Sequence, residues 1–187
     1  MAAPFIEITG KGLDVLNAFL KDAPKQIPKE TMIVLNLTAK DHKRAISKRV
    51  RSFVAIDTKG ANESIAIKKA TKGRLTATVR IDPGFRPSLK RFKAKQTKAG
   101  VSYKIDKKGG RKTVAGAFGP NIPRLGNHVY KRENGKLKQL RGVSLWGVYL
   151  KRNMIYWSDK EVREALEKQV QRRIRALIFK AKKQGSR

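Results

Sequence analysis

Two histidines, His42 and His128, are the residue types in this sequence most suited to acid–base chemistry or metal binding. His42 lies within a helical pattern, and His128 follows Asn127 in a turn region. Neither has a second ligand at the spacing that metal sites use. We therefore interpret His42 as a polar helix residue and His128 as a hydrogen-bonding residue of a loop.

Acidic residues are sparse: the chain has 14 Asp and Glu and 45 Lys and Arg. A glycosidase needs two facing carboxylates and a magnesium nuclease needs several acidic ligands, and no local pattern supplies either. Only the fold could bring Asp57, Asp82 and Asp106 together. The Gly109-Gly110 pair lacks P-loop spacing, and the absence of cysteine excludes disulfides, thiolate zinc sites and cysteine nucleophiles. The sequence thus predicts a chain that is not an enzyme, without cofactor or metal.

Positive charge is the strongest chemical feature of the chain, which carries a formal net charge of +31. Between Pro83 and Ser158 there are 19 Lys and Arg and only two acidic residues, Asp106 and Glu133. Such a concentration of cations favours contact with phosphates or acidic proteins, where each neutralised phosphate releases counterions.

Aromatic residues stand among these cations at Phe85, Phe92 and Tyr103, a mixture that single-strand binders use for base stacking. The chain has no signature of an RNA-recognition sheet, a helix-turn-helix or a zinc finger, so we expect most of these rings in the core. The predicted contacts with a polyanion or partner are Arg86, Lys90, Arg91, Lys93, Lys95, Lys107, Lys108, Arg111, Lys112, Arg124, Lys131 and Arg132.

Helical patterns that would position these cations lie at both ends of the chain. Apolar residues at helical spacing predict helices over 12–23 and 28–53, followed by a turn over 58–62 and a short helix or extended arm over 63–70. Ser158 and Glu161 form a capping-box pattern that predicts a C-terminal helix over 158–183. The predicted buried stripes are Leu13, Leu16, Phe19 and Leu20; Met32, Leu35, Ala39, His42, Ile46, Val50 and Phe53; and Val162, Leu166, Val170, Ile174, Leu177 and Ala181.

The pattern between the helices changes to the alternation of strands, over 75–81, 101–105, 114–118 and 129–130. Asn134-Gly135 favours a two-residue hairpin turn. We therefore predict an α+β fold with N-terminal helices, one small antiparallel sheet of about four strands with basic loops, and a long C-terminal helix. The chain is predicted to form a single domain over 1–187, helical over 11–70, with the sheet over 74–157 and the C-terminal helix over 158–183.

The order of several short motifs resembles the phage minor tail protein Z family. These motifs cover most of the chain from about Gly10 onward, and the terminal helix follows them. The stretches that carry the resemblance are Ile67–Thr78 (IKKATKGRLTAT), Gly100–Ile105 (GVSYKI), Ala115–Phe118 (AGAF), Gly126–Arg132 (GNHVYKR) and Leu140–Ser144 (LRGVS).

This resemblance implies a tail completion or neck protein of a tailed phage, a structural subunit where the tail tube meets the head connector. It implies a homo-oligomeric ring, other tail or neck proteins as partners, and a place in the virion after synthesis in the host cytoplasm. The loop Lys107–Lys112 is similar in position and character to the family's basic loop.

Two other function classes stay open. One is a sequence-nonspecific nucleic-acid-binding protein, since DNA also fits the basic region through phosphate contacts. The other is a small nuclease or other enzyme that would use Asp82 or His128. The N-terminus lacks the pattern of a secretory signal, and no run of 18 apolar residues occurs, so we expect an intracellular protein without membrane contact.

Overall fold

The computed structural model describes residues 5–8, 13–21, 26–126 and 128–185, and it confirms the α+β class. The chain forms two compact units, each built from separate segments. The helical unit comprises Met1–Ala45, Ile67–Arg80 and Met154–Arg187, and the sheet unit comprises Ile46–Ala66 and Ile81–Asn153. The single domain over 1–187 stays a prediction.

The described residues of the helical unit form three helices: α1 (Asp14–Phe19), the part of α2 (Ile27–Phe53) up to Ala45, and α5 (Met154–Gly185). α1 packs against α5 and is shorter than the helix predicted over 12–23. No described helix is both long and apolar enough to cross a membrane. Buried apolar residues of this unit are Leu13, Leu16, Leu20, Val34, Leu35, Ala39, Ala70, Ala77, Val79, Met154, Leu166 and Val170.

The predicted stripes of α2 and α5 are largely buried. Leu35, Ala39, His42, Ile46 and Val50 of α2 are buried, and α2 begins and ends within one residue of the prediction. In α5 the burial follows the stripe at first and then decreases. Leu166 and Val170 are buried, and Val162, Ile174 and Leu177 are half-buried. The side chain of Ala181 lies outside the described residues, as does that of Phe19 in the predicted stripe of α1.

The C-terminal helix starts at Met154, so the predicted start at Ser158 is wrong. Asn153 adopts a left-handed conformation with φ of 47° at the end of the preceding helix, α4 (Leu145–Lys151), and α5 begins directly after it. Ser158 is therefore an interior residue of α5 and is fully buried. The first turn of α5 carries no acidic residue, so Glu161 does not complete a capping box.

A three-stranded sheet contains β1 (Phe5–Ile8), β2 (Ile65–Lys68) and β3 (Ala77–Ile81) in the order β1-β3-β2. β1 pairs antiparallel with β3, with Phe5 opposite Arg80 and Ile8 opposite Ala77. β1 was not predicted, because its partner lies some seventy residues away in the sequence and four residues carry little periodic signal. β2 shows that the arm predicted over 63–70 is extended.

Two further antiparallel sheets belong to the sheet unit, which makes the prediction of one four-stranded sheet wrong. The first contains β4 (Lys95–Thr97), β5 (Gly100–Tyr103) and β6 (Lys112–Ala115). The second contains β7 (Ala117–Phe118), β8 (Tyr130–Glu133) and β9 (Lys136–Gln139). Gly116, with φ of 69°, ends β6, so the run predicted as one strand over 114–118 contributes to both sheets.

Local turn chemistry decides two other elements of the sheet unit. Asn134 and Gly135 have φ of 50° and 76° and join β8 to β9, which confirms the predicted hairpin turn. The turn predicted over 58–62 is instead a short helix, α3 (Thr58–Glu63). Its N-cap is Asp57, whose carboxylate accepts a hydrogen bond of 2.6 Å from the backbone N–H of Gly60.

The core of the sheet unit contains Phe92, which has no exposed surface and leads the fully buried side chains by volume. Phe85 and Tyr103 are half-buried, and Tyr103 packs against the apolar cluster of this unit, so the core role predicted for most of these rings is confirmed for Phe92 and Tyr103. The cluster consists of Leu89, Val101, Ala117 and Val129.

Candidate functional site

The sheet unit carries all twelve residues predicted to contact a polyanion or partner. Lys90, Arg91 and Lys131 are half-buried, and the other nine are exposed. We call eight of them the basic surface, because their side chains are exposed and form neither an ion pair nor a hydrogen bond with a described residue. The basic surface comprises Arg86, Lys93, Lys95, Lys107, Lys108, Lys112, Arg124 and Arg132.

Arg91 is occupied by acidic residues of the same unit. Its guanidinium nitrogens lie 3.3 Å from a carboxylate oxygen of Asp57 and 2.8 Å from one of Glu63, and its side chain is only 19% exposed. A Cβ atom on Gly60 would lie 2.8 Å from Cβ and Cγ of Arg91, so the glycine in α3 makes room for this side chain. Arg91 therefore stabilises α3 rather than presenting a free cation.

Arg111 is likewise hydrogen-bonded to atoms of its own unit, although its side chain is exposed. Its guanidinium donates hydrogen bonds to the backbone oxygen of Ser102 at 2.9 Å, to the hydroxyl of Ser102 at 3.0 Å and to the backbone oxygen of Lys93 at 2.7 Å. These bonds hold Arg111, in the loop between β5 and β6, against β5. Arg111 therefore positions this loop, and its predicted contact with a polyanion or partner stays a prediction.

The basic loop, residues 106–112, is anchored at its base and exposed at its tip. The backbone N–H of Lys107 donates to the oxygen of Phe53 at 2.9 Å, and that of Gly109 donates to the oxygen of Asp106 at 3.2 Å. Lys107, Lys108 and Lys112 point to the exterior as exposed side chains. Since the loop is tied down at its base, three cations are presented together.

The hairpin of β8 and β9 presents Arg132 and sets two lysines opposite each other. Lys131 pairs with Lys138 across the strands, and Lys138 donates a 3.0 Å hydrogen bond to the carboxylate of Glu133. This hydrogen bond, with the charges of Lys138 and Lys131, holds the pKa of Glu133 below its usual value. The carboxylate partly relieves repulsion within the hairpin and leaves Arg132 unpaired with any described acid.

Few acidic residues of the sheet unit remain for the basic surface. Asp82 accepts hydrogen bonds from the backbone N–H groups of Gly84 and Phe85, and Asp106 lines a cleft. The three acidic residues paired with cations are Asp57, Glu63 and Glu133. The basic surface is therefore not neutralised within its own unit, and an external anion would relieve its repulsion.

The carboxylates considered for metal binding do not converge. Among the described residues, no group of three His, Asp or Glu side chains could hold a metal ion, so Asp57, Asp82 and Asp106 form no such site. The His128 ring meets Tyr130 edge-on with 6.5 Å between ring centroids, and its Nδ1 is buried without a described partner. Neither arrangement provides a general acid beside a nucleophile.

His42 has a partner that the sequence did not reveal. Its Nε2 lies 2.9 Å from the hydroxyl of Ser158, and both side chains have no exposed surface. A serine and a histidine at this distance can form a nucleophile and base, but a substrate cannot reach a fully buried hydroxyl. His42 Nδ1 has no described partner to orient the ring as a triad would require. The pair is therefore a structural contact between α2 and α5.

The missed residues of this region are three exposed cations: Arg141 in the segment before α4, and Lys151 and Arg152 at the C-terminal end of α4. They line two clefts with Arg86 and Lys112. Their signal in the sequence was the same as that of the predicted cations, namely a basic side chain between Pro83 and Ser158. Without a prediction of α4, their common location was not recognisable.

Burial lowers the pKa of His42 from 6.5 to about 4, and this gives a testable pH dependence. Between these values the unfolded chain binds a proton that the folded chain does not, so stability falls as the pH falls through this window. We expect a loss of about 3 kcal/mol between pH 7.5 and pH 4 from this residue alone. Urea unfolding followed by tryptophan fluorescence across this range measures it.

The matched variant is His42→Gln, which keeps a hydrogen-bonding group beside Ser158 but cannot titrate. The carboxylates titrate equally in both proteins, so the difference between their stability profiles isolates His42. Parallel profiles for the two proteins would contradict the prediction.

Comparison of the chain with protein-family models, curated proteins and solved structures found no match.

Proposed function

We propose that this chain is a structural subunit, not an enzyme, of a tailed-phage tail or neck, where it assembles into a homo-oligomeric ring. The basic surface of the sheet unit would contact acidic tail proteins or the phosphates of DNA. The observation that carries this proposal is the set of exposed cations that no carboxylate of the same unit neutralises. The resemblance of the motif order to the minor tail protein Z family supplies the kind of particle.

The charge of the chain supports assembly with an anionic neighbour. A net charge of +31 repels itself, and this repulsion disfavours a crowded state unless anions screen it. Cyclic symmetry would repeat the basic surface around the ring. Contacts to phosphates carry no sequence information, which suits a conduit that DNA must pass through.

The first test measures polyanion binding by the basic loop. We expect the triple variant Lys107→Gln, Lys108→Gln, Lys112→Gln to weaken binding of double-stranded DNA. The slope of log K against log salt should become shallower by about 0.9 for each phosphate that the variant no longer neutralises. Fluorescence anisotropy with a labelled duplex at several salt concentrations gives the slope.

The matched control removes three exposed lysines of the helical unit through Lys40→Gln, Lys68→Gln and Lys72→Gln. Both triple variants have the same net charge, so a general charge effect would weaken them equally. Equal weakening would contradict the assignment of binding to the basic surface.

The second test locates the chain in a particle. Antibody to the chain should label the tail or neck of purified phage particles in negative-stain images, with the label at one axial position. Label distributed elsewhere on the particle, or particles without the chain, would overturn the structural role.

The alternative is a free, sequence-nonspecific nucleic-acid-binding protein, which the same exposed cations favour. Such a protein would bind duplex as a monomer or dimer at physiological salt. Light scattering separates the two functions, because the ring requires a larger homo-oligomer and the free binder does not.

A further inference from the structure

Two adjoining clefts in the sheet unit form a site that the basic loop borders on one side. Their volumes are about 520 and 460 Å³, and they share the wall residues Ile105, Asp106, Gly142 and Val143. α4 and the end of α2 line the first cleft, while β5, β6 and the basic loop, including Gly109 and Gly110, line the second. Clefts of this size accept individual apolar side chains of a partner.

The clefts are apolar inside. Phe53 and Val148 line the first cleft, and Tyr103, Val114 and Leu140 line the second. The second cleft thereby reaches the apolar cluster of the sheet unit, where these three residues are only partly buried. An apolar side chain placed here would remove further apolar surface from water.

The rim of the clefts is cationic. Arg86, Lys151 and Arg152 line the first cleft, and Lys112 and Arg141 line the second. All five are exposed, and none takes part in an ion pair with a described residue. Asp106 is the only acidic residue that lines either of these two clefts. The complementary occupant therefore has apolar side chains flanked by carboxylates.

The aromatic rings of the clefts do not offer the open faces that stacked bases need. Arg49 and Arg152 lie over the ring of Phe53, with guanidinium carbons 5.4 and 4.9 Å from its centroid. Tyr103 packs against the apolar cluster. Single-strand binders instead expose a series of ring faces along a basic groove. An acidic peptide fits this chemistry better than a nucleic acid.

We propose that the two clefts bind an extended acidic segment of a partner protein, with its apolar side chains inserted in the clefts and its carboxylates on the cationic rim. This inference rests on the proposed function, since it names the chemistry of the partner that the assembly subunit meets. It assigns the apolar contacts to the clefts and leaves nonspecific polyanion contact to the basic loop.

Filling the first cleft tests the proposal. Gly147 of α4 lines this cleft, and a Cβ atom there would meet no atom within 4 Å. Gly147→Leu thus occupies the cleft without a steric clash at Cβ, and leucine favours the helix more than glycine does. Gly73→Leu is the matched control, because Gly73 lies in the helical unit and its Cβ would also meet nothing within 4 Å. Thermal unfolding by circular dichroism verifies that both variants fold.

The probes are three labelled ligands of equal length: a peptide of alternating Glu and Leu, an all-Glu peptide and an oligo-dT strand. We expect Gly147→Leu to weaken binding of the Glu/Leu peptide about tenfold or more and to leave the all-Glu peptide unchanged. Arg86→Gln with Lys151→Gln should weaken the Glu/Leu peptide more than Lys40→Gln with Lys72→Gln does. These results together would support an acidic, apolar partner segment.

Other outcomes overturn the inference in distinguishable ways. Equal affinity of the Glu/Leu peptide for the wild-type protein and for Gly147→Leu would show that the clefts do not bind the peptide. If the basic loop still bound DNA in that case, the proposed function would stand. Equal weakening of the peptide and oligo-dT by Gly147→Leu would make the clefts a nucleic-acid site. If none of the three ligands binds the wild-type protein, both this inference and the proposed polyanion contact fail.

Discussion

Replacing Phe92 with alanine should lower the free energy of unfolding of the sheet unit by about 3–5 kcal/mol, the cost of truncating a buried aromatic side chain. Phe92 has no exposed surface, and the backbone around it is fixed. Its N–H donates to the oxygen of Leu89, and its oxygen accepts from the N–H of Lys104, both at 3.0 Å. Because this backbone is held on both sides, we expect little collapse of the cavity that alanine leaves.

The neighbouring Gly142 explains why the effect should be large. A Cβ atom on Gly142 would lie 2.0 Å from Cε2 of Phe92, so the glycine backbone and the ring are in direct contact. Gly142→Ala should therefore also destabilise the unit, through overpacking. In the double variant, alanine at both positions should cost less than the sum of the two single effects, because the added methyl group enters the space that the ring has left.

Guanidinium denaturation followed by Trp146 fluorescence measures these effects, since Trp146 belongs to the sheet unit. A Trp157→Phe background shared by all variants removes the signal of the other tryptophan. Leu137→Ala is the control, because Leu137 is 48% exposed on β9 and its truncation should change stability by less than about 0.5 kcal/mol. Similar losses in Phe92→Ala and Leu137→Ala would contradict the central role of this ring.

Removing the charge of Arg173 should destabilise the helical unit by about 3–5 kcal/mol. Arg173 of α5 pairs with Glu30 in the first turn of α2, and one of its bonds, from Nη2 to Oε1, is 3.0 Å long. The Glu30 side chain is only 4% exposed. Arg173→Met would leave this carboxylate buried without its cation, and a buried unpaired charge is costly. The same hydrogen bond raises the pKa of Arg173, so this cation keeps its proton at any working pH.

The double variant Glu30→Gln, Arg173→Met separates the buried charge from the loss of packing. It should be more stable than Arg173→Met alone, because glutamine does not carry a charge into the interior. Arg175→Met is the control on the same helix, where Arg175 is exposed, and it should leave stability nearly unchanged. The measurement is denaturation followed by Trp157 fluorescence in a Trp146→Phe background. If the double variant were no more stable than Arg173→Met, the penalty could not be assigned to the Glu30 charge.

The sequence predicted the elements whose signal is local and periodic. The stripe of α2 extends over about six turns. The turn residues Asn134 and Gly135 both favour positive φ, so α2 and the hairpin were predicted closely. The alternation at β3 likewise marked a strand. In each of these elements, residues close together in the sequence provide the stabilising pattern.

Elements that depend on distant contacts were missed. α3 contains a glycine and has low helix propensity, but the cap by Asp57 and the pair of Asp57 with Arg91 stabilise it. The sheet unit contains two sheets where one was predicted. Strand pairing depends on partners far apart in the sequence, and Gly116 separates β6 from β7. The Ser158 pattern was misleading, since a capping box and an interior serine that binds a histidine can look the same in sequence.

The candidate site was predicted in location but not in composition. A count of cations identified the region between Pro83 and Ser158, since charge is read directly from residue types. It could not distinguish Arg91 and Arg111, which the unit's own oxygens bind, from Lys107 and Lys108, which are exposed and unpaired. That distinction depends on which acceptors the fold brings near each guanidinium.

Three polar contacts between α2 and α5 also determine the axial alignment of these helices. Glu30 meets Arg173, Asp41 meets Gln169 and His42 meets Ser158, in opposite order along the two helices, so α2 and α5 run antiparallel. The contacts on α5 span about 22 Å at a rise of about 1.5 Å per residue, and a slip of one turn, about 5.4 Å, would separate all three donors from their acceptors. Apolar side chains alone would tolerate such a slip more readily. The three contacts therefore favour one axial alignment of α2 with α5 within the helical unit.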